Sequence, residues 1–252
     1  MAEAQFENIM IHEGPAQSGP EEPVICISPR NPDEIRAGAN IQNAYRSKDG
    51  GRTWEHRILT SRYGVWGDPV IVANSKGRFF FFHLSDPTGQ NWASDEILDR
   101  IVVQRSRRWG SGWSKGWYTG WDPPKDQDKE WACVDPVSGR IALAWTQFDD
   151  YGSEKPEDKS SILFSISDPS GKKWSTPMRI NQFSGNCLDD DQTTEGAVPA
   201  FGPNGEIYVS WAWNDTLWFD YSLDGGQTWQ DTDGVISRQP GGCYSLSHYL
   251  HL

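Results

Sequence analysis

Apolar residues along this chain come in short runs that alternate with polar positions or are uniformly apolar, and Gly-, Asp- and Pro-rich turns separate them. Few stretches sustain a 3.6-residue period, so the pattern predicts strands and not helices. The runs fall into four groups. First runs are PVICIS from Pro23, PVIVAN from Pro69, WACVDP from Trp131 and GAVPAF from Gly196. Second runs follow a turn: DEIRAGA at Asp33, GRFFFFH at Gly77, GRIALAW at Gly139 and GEIYVSW at Gly205. Third runs are NAYRS, VVQRS, LFSIS and WFDYS, each leading directly into a turn with a terminal Trp. Each group therefore predicts a four-stranded antiparallel meander with that turn between its third and fourth strands.

The turn itself repeats. SKDGGRTW at Ser47–Trp54 returns as SLDGGQTW at Ser222–Trp229, with eroded copies at Ser106–Trp113 and Ser167–Trp174. The Trp anchors fall at 54, 113, 174 and 229, a period of about 55 to 61 residues. A period of this length built from short strands predicts propeller blades and not a helical solenoid. An Asp two residues before the second of two glycines can fold its carboxylate onto backbone N–H groups while Gly takes positive φ. The motif closes a hairpin and does no chemistry. The fold expected is thus an all-β β-propeller of four-stranded antiparallel blades, about four being present. They span roughly 22–60, 68–120, 130–180 and 195–235 within a single domain over 1–252, with an atypical tail at 243–252. An N-terminal strand such as FENIMIH (Phe6–His12) is a candidate to complete a blade.

Composition narrows the partners. The 252 residues carry a formal charge of −12, which argues against nucleic acid and against an anionic membrane surface. No run approaches the roughly 20 apolar residues of a membrane span, and MAEAQFENIM lacks the basic start and apolar run of an export signal. The compartment stays open. Cys26, Cys133, Cys187 and Cys243 show no metal-type spacing and are expected as free thiols, and the five His are scattered, so no metal or other cofactor is expected. The acidic run Asp189–Asp191 lacks the glycine and spacing of a defined calcium loop and is expected to be a solvated turn.

Candidate chemistry lies where the innermost strands begin. An acid precedes each first strand: Glu22, Asp68, Glu130 and Glu195. These four carboxylates either ring one mouth of a central channel or cap ordinary inter-blade turns. Long connections at Leu84–Asp99, Ser114–Glu130, Gln147–Ser160 and Arg179–Glu195 are of a length associated with function. Among the aromatic residues of the second blade, packing is expected to claim Trp109 and Trp113, leaving Trp117 and Trp121 to stack on sugar faces.

The two intact turn motifs resemble the Asp-box (BNR) repeat of sialidase-like β-propellers, over about Val24 to Gly242. The segments WACVDPVSGRIALAWTQFDDYGS and RINQFSGNCLDDDQTTEGAVPAFGPNGEIYVSWAW look like bacterial exo-α-sialidase or BNR-repeat glycosyl hydrolases. That resemblance implies a glycoside hydrolase acting on terminal sialic acid or a related glycan, with an arginine clamp, a Tyr–Glu nucleophile pair and an Asp acid. Asp68 would serve as the acid, Glu195 would polarise a tyrosine, Glu130 would add a third catalytic carboxylate, and Glu22, Trp117 and Trp121 would hold substrate. The chain departs from the family in three respects. It has no early Arg-Ile-Pro segment, its early arginines being Arg30 and Arg36. Tyr63, Tyr118 and Tyr244 are equally placed as nucleophile. Four anchors also fall short of the six blades of sialidase propellers, and CYSLSHYLHL does not resemble a further blade, as expected of a truncated product. The alternatives are a catalytically silent propeller that binds glycan or protein, and a fragment whose unpaired blade edges invite association.

Overall fold

The computed structural model describes residues 7–14, 20–106 and 112–238. Four antiparallel four-stranded sheets make up the architecture, each a simple meander in chain order. The first blade contains β1 (Val24–Ile27), β2 (Ile35–Ala39), β3 (Asn43–Ser47) and β4 (Glu55–Ile58). The second contains β5 (Gly67–Ala73), β6 (Phe79–Leu84), β7 (Ile101–Arg105) and β8 (Trp117–Thr119). β9 (Asp126–Val134), β10 (Ile141–Phe148), β11 (Ser160–Ile166) and β12 (Met178–Arg179) form the third blade. β13 (Glu195–Phe201), β14 (Ile207–Trp213), β15 (Thr216–Ser222) and β16 (Gly234–Arg238) form the fourth. A single 3-10 turn at Asn91–Ala93 is the only helical element among the described residues.

The expected strand at Phe6–His12 does not form over its described part: residues 7–14 carry no strand. Instead Ile11 packs beside Tyr45 of the first blade, and the His12 ring lies 4.1 Å from that of His56. The loop tip at 107–111, including Trp109, and the tail from 239 onward, including Tyr244 and Cys243, lie outside the described residues. Cys26, Cys133 and Cys187 are free thiols.

Period-2 alternation explains how the blades stack. In β6 the run Phe79–Leu84 is buried throughout, because odd and even positions serve two different interfaces. Phe79 and Phe81 join Ala44 and Ile71 against the first blade, while Phe80 and Phe82 join Ile141 and Leu143 of the third. The third blade repeats the device: Ile141, Leu143 and Trp145 face the second blade, and Ala142 and Ala144 meet Ile207, Val209 and Trp211 of the fourth. Each fully buried Phe contributes on the order of 1.5–3 kcal/mol by area. Gly38 permits a close approach of the first two blades, since a Cβ there would lie 2.8 Å from the Phe81 ring and 3.1 Å from Pro69. Blade follows blade in sequence, β1 and β2 resting on β5, β5 on β9, and β9 to β11 on β13.

The two intact turn motifs share their Ser and Asp hydrogen bonds and differ at the Trp, whose indole N–H finds an acceptor only in the first. Gly51 N–H donates to Ser47 Oγ (2.8 Å), and the Asp49 carboxylate accepts from the Thr53 N–H (2.9 Å) and Thr53 hydroxyl (2.6 Å). The Trp54 indole N–H donates to the Gly51 carbonyl (2.9 Å). In the fourth blade Gly226 N–H donates to Ser222 Oγ (2.9 Å), and Asp224 accepts from the Thr228 N–H (2.9 Å) and hydroxyl (2.6 Å). These hydrogen bonds hold the Asp49 carboxyl down at about 2, the Thr53 hydroxyl contributing most.

Candidate functional site at the channel mouth

The innermost strand of each blade carries the same irregularity at its start. The ladder skips two residues between Gly67 and Val70 in β5, between Asp128 and Trp131 in β9, and between Glu195 and Val198 in β13. In the first blade Asn40 N–H donates to the Glu21 carbonyl and pairing resumes at Val24. The first skipped residue is left-handed every time: Glu22 (φ 47°), Asp68 (φ 49°), Lys129 (φ 50°) and Gly196 (φ 70°). A bulge with one residue in this conformation turns its side chain out of the ladder. Here it aims four equivalent positions at one cavity of 430 Å³, lined by Glu22–Val24, Asp68–Val70, Lys129–Trp131 and Gly196–Val198.

The equivalent positions thus hold two carboxylates, an ammonium and a glycine, not four carboxylates. Glu130 stands one residue further in than Glu22 and Asp68, and Glu195 one residue earlier. The offset has a physical origin: the bulge residue, not the acid nearest the apolar run, is the one turned into the mouth. Glu195 heads β13 opposite Ala212, half-buried and outside the set lining the cavity.

Asn40, at the end of the first blade's second strand, ties the carboxylates together. Its Nδ2 donates to Glu22 Oε2 (2.8 Å) and Asp68 Oδ1 (3.5 Å), and its Oδ1 accepts from the Asp68 N–H (2.7 Å). Gly67 makes room for it, because a Cβ there would come within 2.6 Å of Asn40 Oδ1. Lys129 Nζ bridges the pair from the third blade, 3.1 Å from Asp68 Oδ2 and 3.6 Å from Glu22 Oε1. Glu22 keeps 48% of its side chain exposed, against 18% for Asp68.

Electrostatics separates these groups. A hydrogen bond shared with Asp68, then partial burial, raises Glu22 above the ordinary glutamate value. Desolvation works to lower Lys129, yet the charges of Asp68, Asp128 and Glu22 hold it well above the usual lysine range. Beneath the mouth Asp128 is raised to about 7, by burial and then by Asp68. Glu130 is 2% exposed, and burial raises it well above 4.5; neither of its carboxyl oxygens has a hydrogen-bond partner among the described residues. Burial there favours its protonated form over the carboxylate.

Trp117 and Trp121 do not reach this cavity. Trp117 is half-buried against the core between the second and third blades, with Arg105 and Lys172 cations 5.2 Å and 5.0 Å from its ring. Trp121 is exposed beside Arg100, 5.8 Å away, in a cluster with Tyr63 and Tyr118. The aromatic at the mouth is Trp131, 45% exposed. The acidic run Asp189–Asp191 is organised internally: Tyr151 hydroxyl donates to Asp189 (2.7 Å), and Asp190 accepts from Gln192 N–H (2.8 Å). No cluster of His, Cys, Asp and Glu suited to a metal ion occurs among the described residues, and no helix among them is long and apolar enough to cross a membrane.

No family model matches the chain, and a search of curated proteins gives no match. Solved structures share its fold. A Dyadobacter fermentans protein of unknown function superposes with a TM-score of 0.60 at 17% identity, over 87% of this chain and 70% of its own. A leech intramolecular trans-sialidase complexed with 2,7-anhydro-Neu5Ac gives a TM-score of 0.60 at 12% identity, over 92% of this chain and 54% of its own. A Penicillium chrysogenum α-L-arabinanase complexed with arabinobiose gives 0.53 at 16% identity, over 82% and 65%. At these identities the likeness carries the fold: this is an all-β protein of the propeller type with four blades described.

Proposed function

We propose that the channel mouth is a glycan-binding centre that cleaves glycosidic bonds by acid–base catalysis, with Glu22 as acid and Asp68 as base. The observation that carries this reading is the Glu22–Asp68 pair, joined by Asn40 and Lys129 at the point where all four inner strands open. In this reading the four blades act as one domain, and the turns at Ser47–Trp54 and Ser222–Trp229 are Asp boxes. The glycosidic oxygen takes the place of Asp68 as acceptor for the Glu22 proton; a sugar seated between the two carboxyls parts them to the roughly 6.5–9.5 Å that admits the attacking water, from which Asp68, paired with Lys129, takes a proton. Water oxygen bonds to the anomeric carbon, the bond to the leaving sugar breaks, and the proton then on Asp68 returns to Glu22. Trp131 offers a face for the sugar ring. Glu130 sits behind the pair, where burial favours its protonated form and so limits negative charge at the mouth.

The substrate class favoured is an uncharged glycoside. Sialic acid, the ligand implied by the repeat motif, calls for a guanidinium clamp on its carboxylate, with Asp68 as acid and Glu195 behind a tyrosine. Among the described residues lining the mouth there is no arginine, and the one cation, Lys129, is already engaged by Asp68 and Glu22. A panel of neutral arylglycosides and oligosaccharides beside a fluorogenic sialoside tests both. Hydrolysis of a neutral member, lowered about 10²- to 10⁴-fold in Glu22→Gln and Asp68→Asn, is the expected result. Binding without turnover would instead make this a lectin-like propeller, and turnover of the sialoside alone would restore the clamp reading.

A further inference from the structure

At the opposite end of the first two blades lies a second cavity, larger than the mouth at 580 Å³ and of contrary charge. Its walls come from residues after β1 and β5 and at the starts of β2 and β6, so the length of a strand separates it from Glu22 and Asp68. Arg30, Arg36, Arg46, Lys76 and Arg78 line it, and Glu34 is its single carboxylate. In a chain of net charge −12 this concentration of cations does not follow from composition.

Arg36 and Arg46 are held in place, while Arg30 and Lys76 are exposed at the rim. Glu34 receives Arg46 through two parallel bonds (Nε and Nη2, both 2.9 Å) and Arg36 at 3.0 Å, so one carboxylate serves two guanidiniums. Arg36 is 3% exposed, with its guanidinium 5.6 Å from the Phe79 ring and 5.5 Å from that of Trp113. Burial, and then the neighbouring Arg46, lower Arg36 to about 10. On the facing wall the Asn74 side chain accepts from the Lys76 and Arg78 N–H groups (3.1 and 3.0 Å), fixing the turn that presents both cations. Gly77, at φ +73°, brings that turn against the first blade: a Cβ would meet Ser28 Oγ at 3.2 Å. Like charges gathered at fixed geometry around a cavity cost free energy in the empty protein, and an anion between them recovers it.

We propose that this cavity binds a tetrahedral oxyanion, a sulfate or phosphate group, either free or as the ester of an acidic glycan. The Arg30 guanidinium of the first blade and the Lys76 ammonium and Arg78 guanidinium of the second match several oxygens of one such group at once, with Arg36 and Arg46 adding positive charge behind them. The inference is independent of the chemistry at the mouth.

The test is calorimetric titration of the full chain at low ionic strength with inorganic sulfate, inorganic phosphate, a sulfated oligosaccharide and its desulfated counterpart. Wild-type protein is expected to bind the sulfated ligand, and its affinity to fall steeply with added salt. Arg30→Ser/Lys76→Ser, which changes two exposed rim residues, is expected to weaken binding at least about tenfold with an unchanged thermal midpoint. Lys76→Arg is expected to retain binding. If the inorganic ions bind as well, the cavity recognises the ion itself; if only the sulfated oligosaccharide binds, it recognises the ester on a glycan. No binding of any anionic ligand, equal binding of the desulfated oligosaccharide, or undiminished binding in the double variant would overturn the proposal.

Discussion

The second and third blades lie between two neighbouring blades; among the described residues the first and fourth each have a blade on one side alone. β6 and β10 are buried at every position, whereas β1 alternates between half-buried and exposed and β16 is exposed throughout. Ile25, Ile27 and Ile58 on the first blade and Val198, Val235 and Ile236 on the fourth are each more than 40% exposed. The four blades share a topology and a repeat, so the difference comes from what lies against each strand: β2 of the first blade is buried at every position, with Ile11 packed against its cluster of Ala37, Ala39 and Tyr45, whereas β14 of the fourth is fully buried only at alternate residues. Apolar residues on the outer faces are nevertheless retained, which is the composition of surfaces that are covered by something.

The largest effect expected from this contrast is in the middle blades. Trp145→Ala removes a fully buried indole and the 2.7 Å bond from its N–H to Gln127 Oε1, and is expected to cost about 3–5 kcal/mol in urea denaturation. A loss below about 1 kcal/mol would break the claim that the interface between the second and third blades is the main core.

The next largest concerns a buried acid in the outer blade. Asp220 in β15 is 1% exposed and raised to about 6, first by burial and against hydrogen bonds from the Tyr221 and Gln230 N–H groups. Its folded value exceeds the unfolded one, so the folded chain holds the extra proton. Stability from this group is therefore complete below about pH 4 and is lost as pH rises toward 6. Asp220→Asn is expected to gain about 1–2 kcal/mol at pH 7.5 and little at pH 4. An equal gain at both would locate the effect outside this titration.

Smaller still is the turn. Ser47→Ala leaves the Gly51 N–H without its acceptor, and about 1 kcal/mol is expected, read as faster amide exchange at Gly51 and Thr53. Smallest of all are the outer faces: Ile25→Thr and Val235→Thr are expected to change stability by less than about 0.5 kcal/mol while reducing self-association in sedimentation velocity. A substantial loss of stability in either would mean that these faces are packed in the monomer.

Much of this architecture was legible in the sequence, because strand alternation and the turn motif both report local physics. The run FFFF at 79–82 falls in an apolar second strand, as the repeat predicts, and the structure buries it on both sides. The mouth was legible only in part. Glu22 and Asp68 precede apolar runs as the repeat suggests, but in the third and fourth blades the same register holds Lys129 and Gly196, since a bulge is set by backbone pairing that apolar spacing does not record. Glu130 and Glu195 consequently fall one residue to either side. Asn40 and Lys129 carried no repeat signal, as their role depends on three blades meeting. Trp131 was hidden as the first letter of a strand, and the cations around Glu34 are scattered over 49 positions of the chain, from Arg30 to Arg78, in a molecule whose total charge points the other way.

The central claim is that the Glu22–Asp68 pair at the common opening of the blades transforms a bound sugar. Steady-state hydrolysis of a neutral arylglycoside panel by the wild-type chain and Asp68→Asn, with glycan binding measured on both, tests it most directly. The account predicts turnover by the wild type, a loss of about 10²-fold or more in the variant, and binding by both. Equal rates in the two proteins, or neither turnover nor binding of any sugar in the wild type, would contradict it.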